Sequence, residues 1–170
     1  DYLKTNNDPR LGVVAEVPPA GLTGNTTFGL AGNNTPATQL GQPNGFDLNG
    51  GATDITKSPG YPGGTGTGGE LSPIGRYSRP RTSVYTPNRD VAFFIMTAAE
   101  TSLLLAEAAA RGWSVGGSAA THYANGVKAG MESLATFSST GVVPTAAINT
   151  YLTAKPLNVT SQAASLRQIN

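Results

Sequence analysis

Apolar and small side chains recur at helical spacing over residues 90 to 111 and predict the first long helix of the chain. They form one stripe along it: Ile95, Ala99, Leu103, Ala106 and Ala110. Gly112 follows the stripe, at the point where helices commonly end in a left-handed C-terminal cap. Because most residues of the stripe are small, the pattern predicts that another helix approaches this face closely.

A second helix is predicted to begin after Ser118, a residue type that caps helix N-termini. Its predicted apolar face consists of Ala120, Tyr123, Ala124, Val127, Met131 and Leu134. Gly126 and Gly130 lie on the neighbouring surface and each costs about 1 kcal/mol in helix propensity relative to Ala. We interpret them as points of close packing, so the first two helices are predicted to form an antiparallel pair.

Two further helices are predicted near the end of the chain. The third opens with Pro144 in its first turn and ends near Lys155 and Pro156. The fourth follows "NVTS" (158 to 161) and carries Ala164, Leu166 and Ile169. Four helices in two successive hairpins are typical of helical-repeat proteins, so the predicted fold class is mainly α.

Residues 1 to 88 have the pattern of a loop-rich region. The first 90 positions hold 16 of the 22 glycines and 10 of the 12 prolines, so few regular elements are expected there. Short strands are predicted at 10 to 17 and 82 to 86. Apolar residues between the glycines, among them Leu22, Phe28, Leu40, Ile55 and Leu71, favour ordered loops over a disordered linker. We expect this region to pack on a helical body formed by residues 89 to 170 and truncated at its C-terminal end.

Composition narrows the possible functions. The net charge is +1 and only 12% of residues are charged, which disfavours binding to nucleic acid. The chain has no cysteine, which excludes disulfides, thiolate metal sites and thiol nucleophiles. Neither a membrane span nor a signal peptide is visible in the sequence. The chain begins with Asp1 rather than Met, so we expect that its natural beginning has been lost.

No arrangement of catalytic or metal-binding residues is predicted. Glu100 and Glu107 lie on the same helix face, about 10 Å apart along the axis, which is wide for a retaining glycosidase pair and borderline for an inverting one. We therefore interpret both as structural. His122 is the only histidine and has no partners at supporting spacing, so we expect it to be solvated or locally bonded. No cofactor is expected, and the glycine run at 60 to 70 does not have the pattern of a phosphate-binding loop.

Basic side chains cluster before the first helix: Arg76, Arg79, Arg81 and Arg89. They have two interpretations. They can grip an anionic ligand, or, more favoured, they can tie down the backbone carbonyls of the loops.

Aromatic residues in the loops are candidates for ligand binding. Phe46, Tyr61 and Tyr77 are accompanied by Asn44 and Asp47, and flat rings with neighbouring amides and carboxylates are suited to binding sugars. The alternative for each aromatic is that it pins its loop to the body of the protein. Trp113, directly after Gly112, is expected to pack as a hydrophobic anchor at the end of the first helix.

Several segments together resemble a known family: "NNDPRL" (6 to 11), "GQPNG" (41 to 45), "SPIGRYSRP" (72 to 80), "FFIMTAAETSLLLAEAAARGW" (93 to 113) and "AATHYANGVKAGMESLATF" (119 to 137). The sequence is similar to the SusD/RagB family of nutrient-binding lipoproteins of the Bacteroidetes outer membrane. The likeness covers most of the chain and is strongest from residue 72 to 137.

The resemblance implies a superhelical body of tetratricopeptide-like helix pairs with long irregular Gly/Pro-rich loops. It also implies a lipid anchor on the extracellular face of the outer membrane and a TonB-dependent, SusC-like transporter as partner. This sequence lacks the lipidation cysteine, the first helical repeats and the usual C-terminal segment, so we expect it to be a fragment of a longer protein. The predicted function is non-enzymatic capture of oligosaccharide or peptide nutrients and their delivery to the transporter. The alternative is a helical-repeat scaffold for protein partners that binds no small ligand.

Overall fold

The computed structural model describes residues 2–17, 32–47, 50–61, 77–85 and 92–170. Its regular elements are the helices α1 (Tyr2–Thr5), α2 (Leu11–Val14), α3 (Thr82–Tyr85), α4 (Ala98–Ala110), α5 (Ala119–Glu132), α6 (Thr145–Ala154) and α7 (Gln162–Ile169), and the strands β1 (Ala15–Glu16) and β2 (Arg79–Pro80). Short 3-10 turns cover Pro36–Thr38, Ile55–Lys57, Ser133–Thr136 and Ser139–Gly141. The chain divides into two units, Asp1–Pro87 and Asn88–Asn170. The predicted fold class, mainly α, is confirmed.

The prediction of strands at 10 to 17 and 82 to 86 in the first unit is wrong over most of both segments. The observed pair is antiparallel and only two residues long, with Ala15 opposite Pro80 and Glu16 opposite Arg79. Residues 11–14 form a helical turn instead, because the Arg10 carbonyl accepts hydrogen bonds from the N–H groups of Val13 and Val14. Residues 82–85 form a similar turn. The β-branched composition of both segments favours strands, but hydrogen bonds within each turn, to the carbonyls of Arg10 and Arg81, replace strand pairing there.

The carboxylate of Glu16 holds the first unit together from a buried position, with only 1% of the residue exposed. It accepts hydrogen bonds from the Gly32 N–H at 3.0 Å and from Arg79 Nε at 2.9 Å, and it forms an ion pair with the same guanidinium at 2.8 Å. The Thr82 hydroxyl donates to it at 3.2 Å. Burial would raise the pKa of Glu16, but hydrogen bonds from Gly32, Thr82 and Arg79, with the charge of Arg79, lower it overall. Three chain segments, residues 2–17, 32–47 and 77–85, therefore meet at one ionised carboxylate.

Of the apolar residues predicted to anchor the loops, Ile55 is buried with 1% exposure and Leu40 is partly buried. Leu22, Phe28 and Leu71 lie outside the described residues. The Ile55 N–H donates to the carbonyl of Asp47, one of the candidate binding residues, at 2.8 Å.

In the second unit, α4 begins at Ala98, eight residues later than the helix predicted from residue 90. The Thr97 side chain accepts a hydrogen bond from the Glu100 N–H at 3.0 Å and caps the helix. Thr97 and Glu100 have the spacing of a capping box, which marks a helix start. Ile95, predicted as part of the buried stripe, precedes the helix and is 93% exposed.

The predicted C-terminal cap of α4 is confirmed. Gly112 has a φ of 86°, and its N–H donates to the Ala109 carbonyl while the Trp113 N–H donates to the Ala108 carbonyl. These two hydrogen bonds together form a Schellman motif. Trp113 itself is 66% exposed, so the expectation that its side chain packs as an anchor is wrong.

Helices α4 and α5 form the predicted antiparallel pair, with the start of α4 against the end of α5. A Cβ atom at Gly126 would lie 2.7 Å from Leu103 Cγ, whereas one at Gly130 would lie 3.6 Å from Ala99 Cβ. Ser118 caps α5 as predicted, through the Thr121 N–H. The buried side of α5 is centred on Tyr123 and Met131, while Ala120 is exposed. Gly126 is therefore the point of closest packing between the helices.

The third and fourth predicted helices are confirmed as α6 and α7. Pro144 stands at the N-cap of α6, and the Ser161 side chain caps α7 through the Ala164 N–H. Helix α6 packs against α5, and α7 packs against α4. A cluster of Ala106, Tyr123 and Leu157 forms the buried centre, with Leu103, Ala119, Val127 and Ile169 packed around it.

Candidate functional site

Two aspartates shape the loop that contains the candidate binding residues. The Asp47 N–H donates to the Thr53 carbonyl at 2.8 Å, and the Ile55 N–H donates back to the Asp47 carbonyl at 2.8 Å. The Asp54 carboxylate accepts hydrogen bonds from the Thr56 N–H and hydroxyl and from the Gly50 N–H. The hydroxyl and N–H of Thr56 and the N–H of Gly50 lower the pKa of Asp54. Asp54 is therefore used in shaping this loop.

Three of the predicted binding residues lie together at the start of this loop. Asn44 is exposed in a turn with Gly45, Phe46 is partly buried, and Asp47 is exposed. The Asp47 carboxylate accepts a hydrogen bond from the Thr53 hydroxyl at 3.0 Å. Sugar hydroxyl groups are suitable donors to a carboxylate, which can accept at about four positions.

The two tyrosines of the predicted set differ in exposure and in role. Tyr61 is partly buried, and its N–H donates to the Ser58 carbonyl at 3.1 Å. Tyr77 is only 3% exposed, and its hydroxyl is hydrogen-bonded to the buried Ser58 hydroxyl at 3.1 Å. The ring of Tyr77 is not available for stacking, and its contacts fit the alternative interpretation, in which the aromatic holds a loop in place. Tyr77 thus supports the segment that ends at Tyr61.

The acidic residues of α4 have structural contacts. Glu100 is exposed in the first turn of the helix, beside its Thr97 cap. Glu107 forms an ion pair with Arg111 at 2.6 Å on the same helix face. Both placements agree with the structural interpretation of these residues.

His122 differs from the expectation of a solvated or locally bonded side chain. Its Nε2 is buried and has no hydrogen-bond partner among the described residues, and the ring lies against Gly117. Within the described ranges, no group of three His, Asp or Glu side chains could hold a metal ion.

Of the two arginines of the cluster that the structure describes, Arg81 makes the contact with a backbone carbonyl that the favoured interpretation expects. Arg81 Nη1 donates a hydrogen bond to the Gly12 carbonyl at 3.4 Å, whereas Arg79 forms an ion pair with the Glu16 carboxylate. Arg76, Arg89 and most of the glycine run at 60 to 70 lie outside the described residues. Among the helices described, none has the length and apolar character needed to cross a membrane.

The helices of the second unit and the loops of the first are features of a known class of protein, which similarity to known proteins identifies. Residues 1–170 match the SusD-like family described as "Starch-binding associating with outer membrane". The chain belongs to this family. No curated protein matches the sequence.

Two solved structures are similar to the chain. One is a chitin-binding protein with 27% sequence identity and a TM-score of 0.58, and the match covers 99% of this chain and 31% of that protein. The other is an outer-membrane protein of Bacteroides vulgatus ascribed to nutrient binding, with 22% identity, a TM-score of 0.61 and coverage of 99% and 33%. The chain therefore spans about a third of the length of these proteins.

Proposed function

We propose that this chain is part of a protein that captures nutrient oligosaccharides at the outer membrane by non-enzymatic binding. The family description refers to starch binding and the outer membrane, and one similar structure is a chitin-binding protein. Peptide nutrients are the less favoured ligand class. The extracellular face is the side on which such capture would be useful to the cell.

The main support for this proposal is the hydrogen-bonded loop formed by the described residues 46–47 and 50–61. Its backbone is fixed by Asp47 and Asp54, and Ile55 anchors it in the first unit. A loop that is already ordered loses less conformational entropy when it binds a ligand. Phe46 and Tyr61 would contribute apolar ring faces to a sugar.

Polar recognition in this proposal comes from Asn44 and Asp47, which are exposed beside Phe46. The amide would donate to and accept from sugar hydroxyls, and the carboxylate would accept from them. Tyr77 would act indirectly, by holding Ser58 beneath the segment that leads to Tyr61.

We also propose that the bound ligand passes to a TonB-dependent, SusC-like transporter, and that a lipid anchor holds the intact protein at the membrane. Family membership supports both expectations. A scaffold for protein partners is the second candidate, favoured by two large apolar side chains of the helical unit that are exposed, Leu104 at 56% and Trp113 at 66%. Exposed apolar side chains mark a protein contact surface where they form one contiguous patch.

The proposal is tested with the intact protein on glycan and peptide arrays, beside Phe46→Ala and Tyr61→Ala variants. Loss of one stacked ring should weaken a saccharide hit about fivefold or more. Phe93→Ala is the matched control, since it removes an aromatic ring that is 90% exposed and lies outside this loop. Binding to the transporter without any glycan or peptide hit would support the scaffold and contradict ligand capture.

A further inference from the structure

A groove runs beside α1, away from the loop of residues 46–61 in sequence. It consists of two depressions of about 270 and 480 Å³ that share Leu3, Lys4 and Leu11. Tyr2 lines the first and Pro36 lines the second. We call this feature the α1 groove. The larger depression falls in the range of ligand pockets, about 300–1,000 Å³.

The α1 groove contains a positive charge that no described carboxylate balances. Lys4 Nζ donates to the Ala37 carbonyl at 3.0 Å and to the Gln39 carbonyl at 3.1 Å, and the ion pairs of the described residues do not include it. An ammonium group has three donors, so one remains for a ligand. Asp8 also lines the groove, but its buried carboxylate is paired with Arg10 at 2.6 Å. The charge of Lys4 therefore favours an anionic group.

Two other polar side chains in the groove, those of Gln39 and Ser78, are already occupied. Gln39 Nε2 donates to the carbonyls of Asn33 and Thr35, and its Oε1 accepts from the Ser78 hydroxyl at 2.8 Å. The Ser78 oxygen in turn accepts from the Leu40 N–H at 2.8 Å. These contacts leave Lys4 as the groove's charged contact for a ligand, beside the neutral amide of Asn7.

Apolar surface surrounds the ammonium. Leu3 and Leu11 form the shared wall, and Tyr2 is 73% exposed. A sugar ring with one carboxylate matches this arrangement, because its C–H face can lie on the aromatic ring while the carboxylate forms a charge-assisted hydrogen bond.

We infer that the α1 groove is a second ligand subsite, which binds a carboxylate-bearing sugar unit with its carboxylate on Lys4 and its ring against Tyr2. The saccharide class of the ligand rests on the proposed function. The charge preference rests on Lys4 alone.

The test compares two oligosaccharides that differ only in charge, an oligogalacturonate and its methyl ester, by titration calorimetry with the intact protein. The acid should bind at least about tenfold more tightly than the ester, because a hydrogen bond to a charged group is stronger than a neutral one. Lys4→Met should remove this difference, and Lys4→Arg should retain most of it. Tyr2→Ala should weaken both ligands, and added salt should weaken the acid alone.

Equal binding of acid and ester to the unaltered protein would overturn the inference without any variant, so it remains testable if Lys4→Met fails to fold. An acid preference that survives Lys4→Met in a folded protein would also overturn it. A short peptide with a free C-terminal carboxylate and the same peptide with a C-terminal amide serve as a further pair of ligands. If the protein preferred the peptide carboxylate through Lys4 and did not bind the oligogalacturonate, the assignment of a sugar as the ligand would be rejected. If Tyr61→Ala abolishes binding of a neutral glycan while Lys4→Met has no effect on any ligand, the proposed function stands and the second subsite does not.

Discussion

Replacing Gly126 with Ala tests the close contact between α4 and α5. The new Cβ would lie 2.7 Å from Leu103 Cγ and 3.2 Å from the Ala99 carbonyl oxygen. Neither atom is the free end of a flexible side chain, so the helices must separate or Leu103 must change rotamer. Overpacking of this kind costs about 1–3 kcal/mol, while the gain in helix propensity from Gly to Ala is about 1 kcal/mol.

Gly130→Ala is the matched control, four residues further along the same helix. Its new Cβ would lie 3.6 Å from Ala99 Cβ, an ordinary contact, so only the gain of about 1 kcal/mol in helix propensity remains. The propensity terms cancel between the two variants. Their difference, about 1–3 kcal/mol, therefore isolates the steric term at Gly126.

The assay is hydrogen exchange of the amides of α4 and α5 in the intact protein, which reports the free energy of local opening. Gly126→Ala should exchange about 5- to 150-fold faster than Gly130→Ala, with Gly130→Ala slower than the unaltered protein. Equal protection in the two variants would refute the packing described here.

Three further changes test other contacts. Glu16→Gln leaves Arg79 without its buried partner and should destabilise the first unit by about 3 kcal/mol, measured by hydrogen exchange of residues 11–16 and 79–85. Folding lowers the pKa of Glu16, so the stability that its charge contributes is fully present above its ordinary pKa of 4.5. This stability is lost as the pH falls through the lower pKa of the folded state. If the Glu16→Gln variant had the same acid unfolding profile as the unaltered protein, this role of Glu16 would be contradicted. Thr97→Ala should destabilise the start of α4 by about 1 kcal/mol in the same assay, whereas Thr97→Ser should not, and equal exchange in both variants would argue against the cap. Tyr77→Phe should cost about 1 kcal/mol and speed exchange of residues 55–61, and a loss confined to other segments would show that the bond to Ser58 does not hold this loop.

The helices of the second unit follow from local sequence signals. Ser118, Gly112 and Pro144 mark helix ends through the capping preferences of their own side chains or backbone, and the structure uses all three. The start of α4 was misplaced because the apolar run before Thr97 continues the helical pattern. The spacing of Thr97 and Glu100 contains the correct start, which shows that a capping signal outweighs apolar continuity here.

The first unit depends on contacts between distant residues, which local patterns do not reveal. Glu16 and Thr82 are 66 positions apart, and Ser58 and Tyr77 are 19 apart. The sequence predicted that an arginine such as Arg81 binds a loop carbonyl, but it did not predict that the buried Glu16 joins three segments. The α1 groove was not predicted either, because Lys4 has no distinguishing motif and its carbonyl partners lie more than 30 residues away.

The most direct test of saccharide capture is a hydrogen-exchange footprint of the intact protein with and without chitin or starch oligosaccharides. It locates the binding surface without altering any residue. If the saccharide binds this loop, exchange should slow in residues 44–61 on ligand addition, with α4 and α5 unchanged. Absence of any protection by the saccharides, or protection confined to the helices, would contradict the assignment of this loop as the binding site.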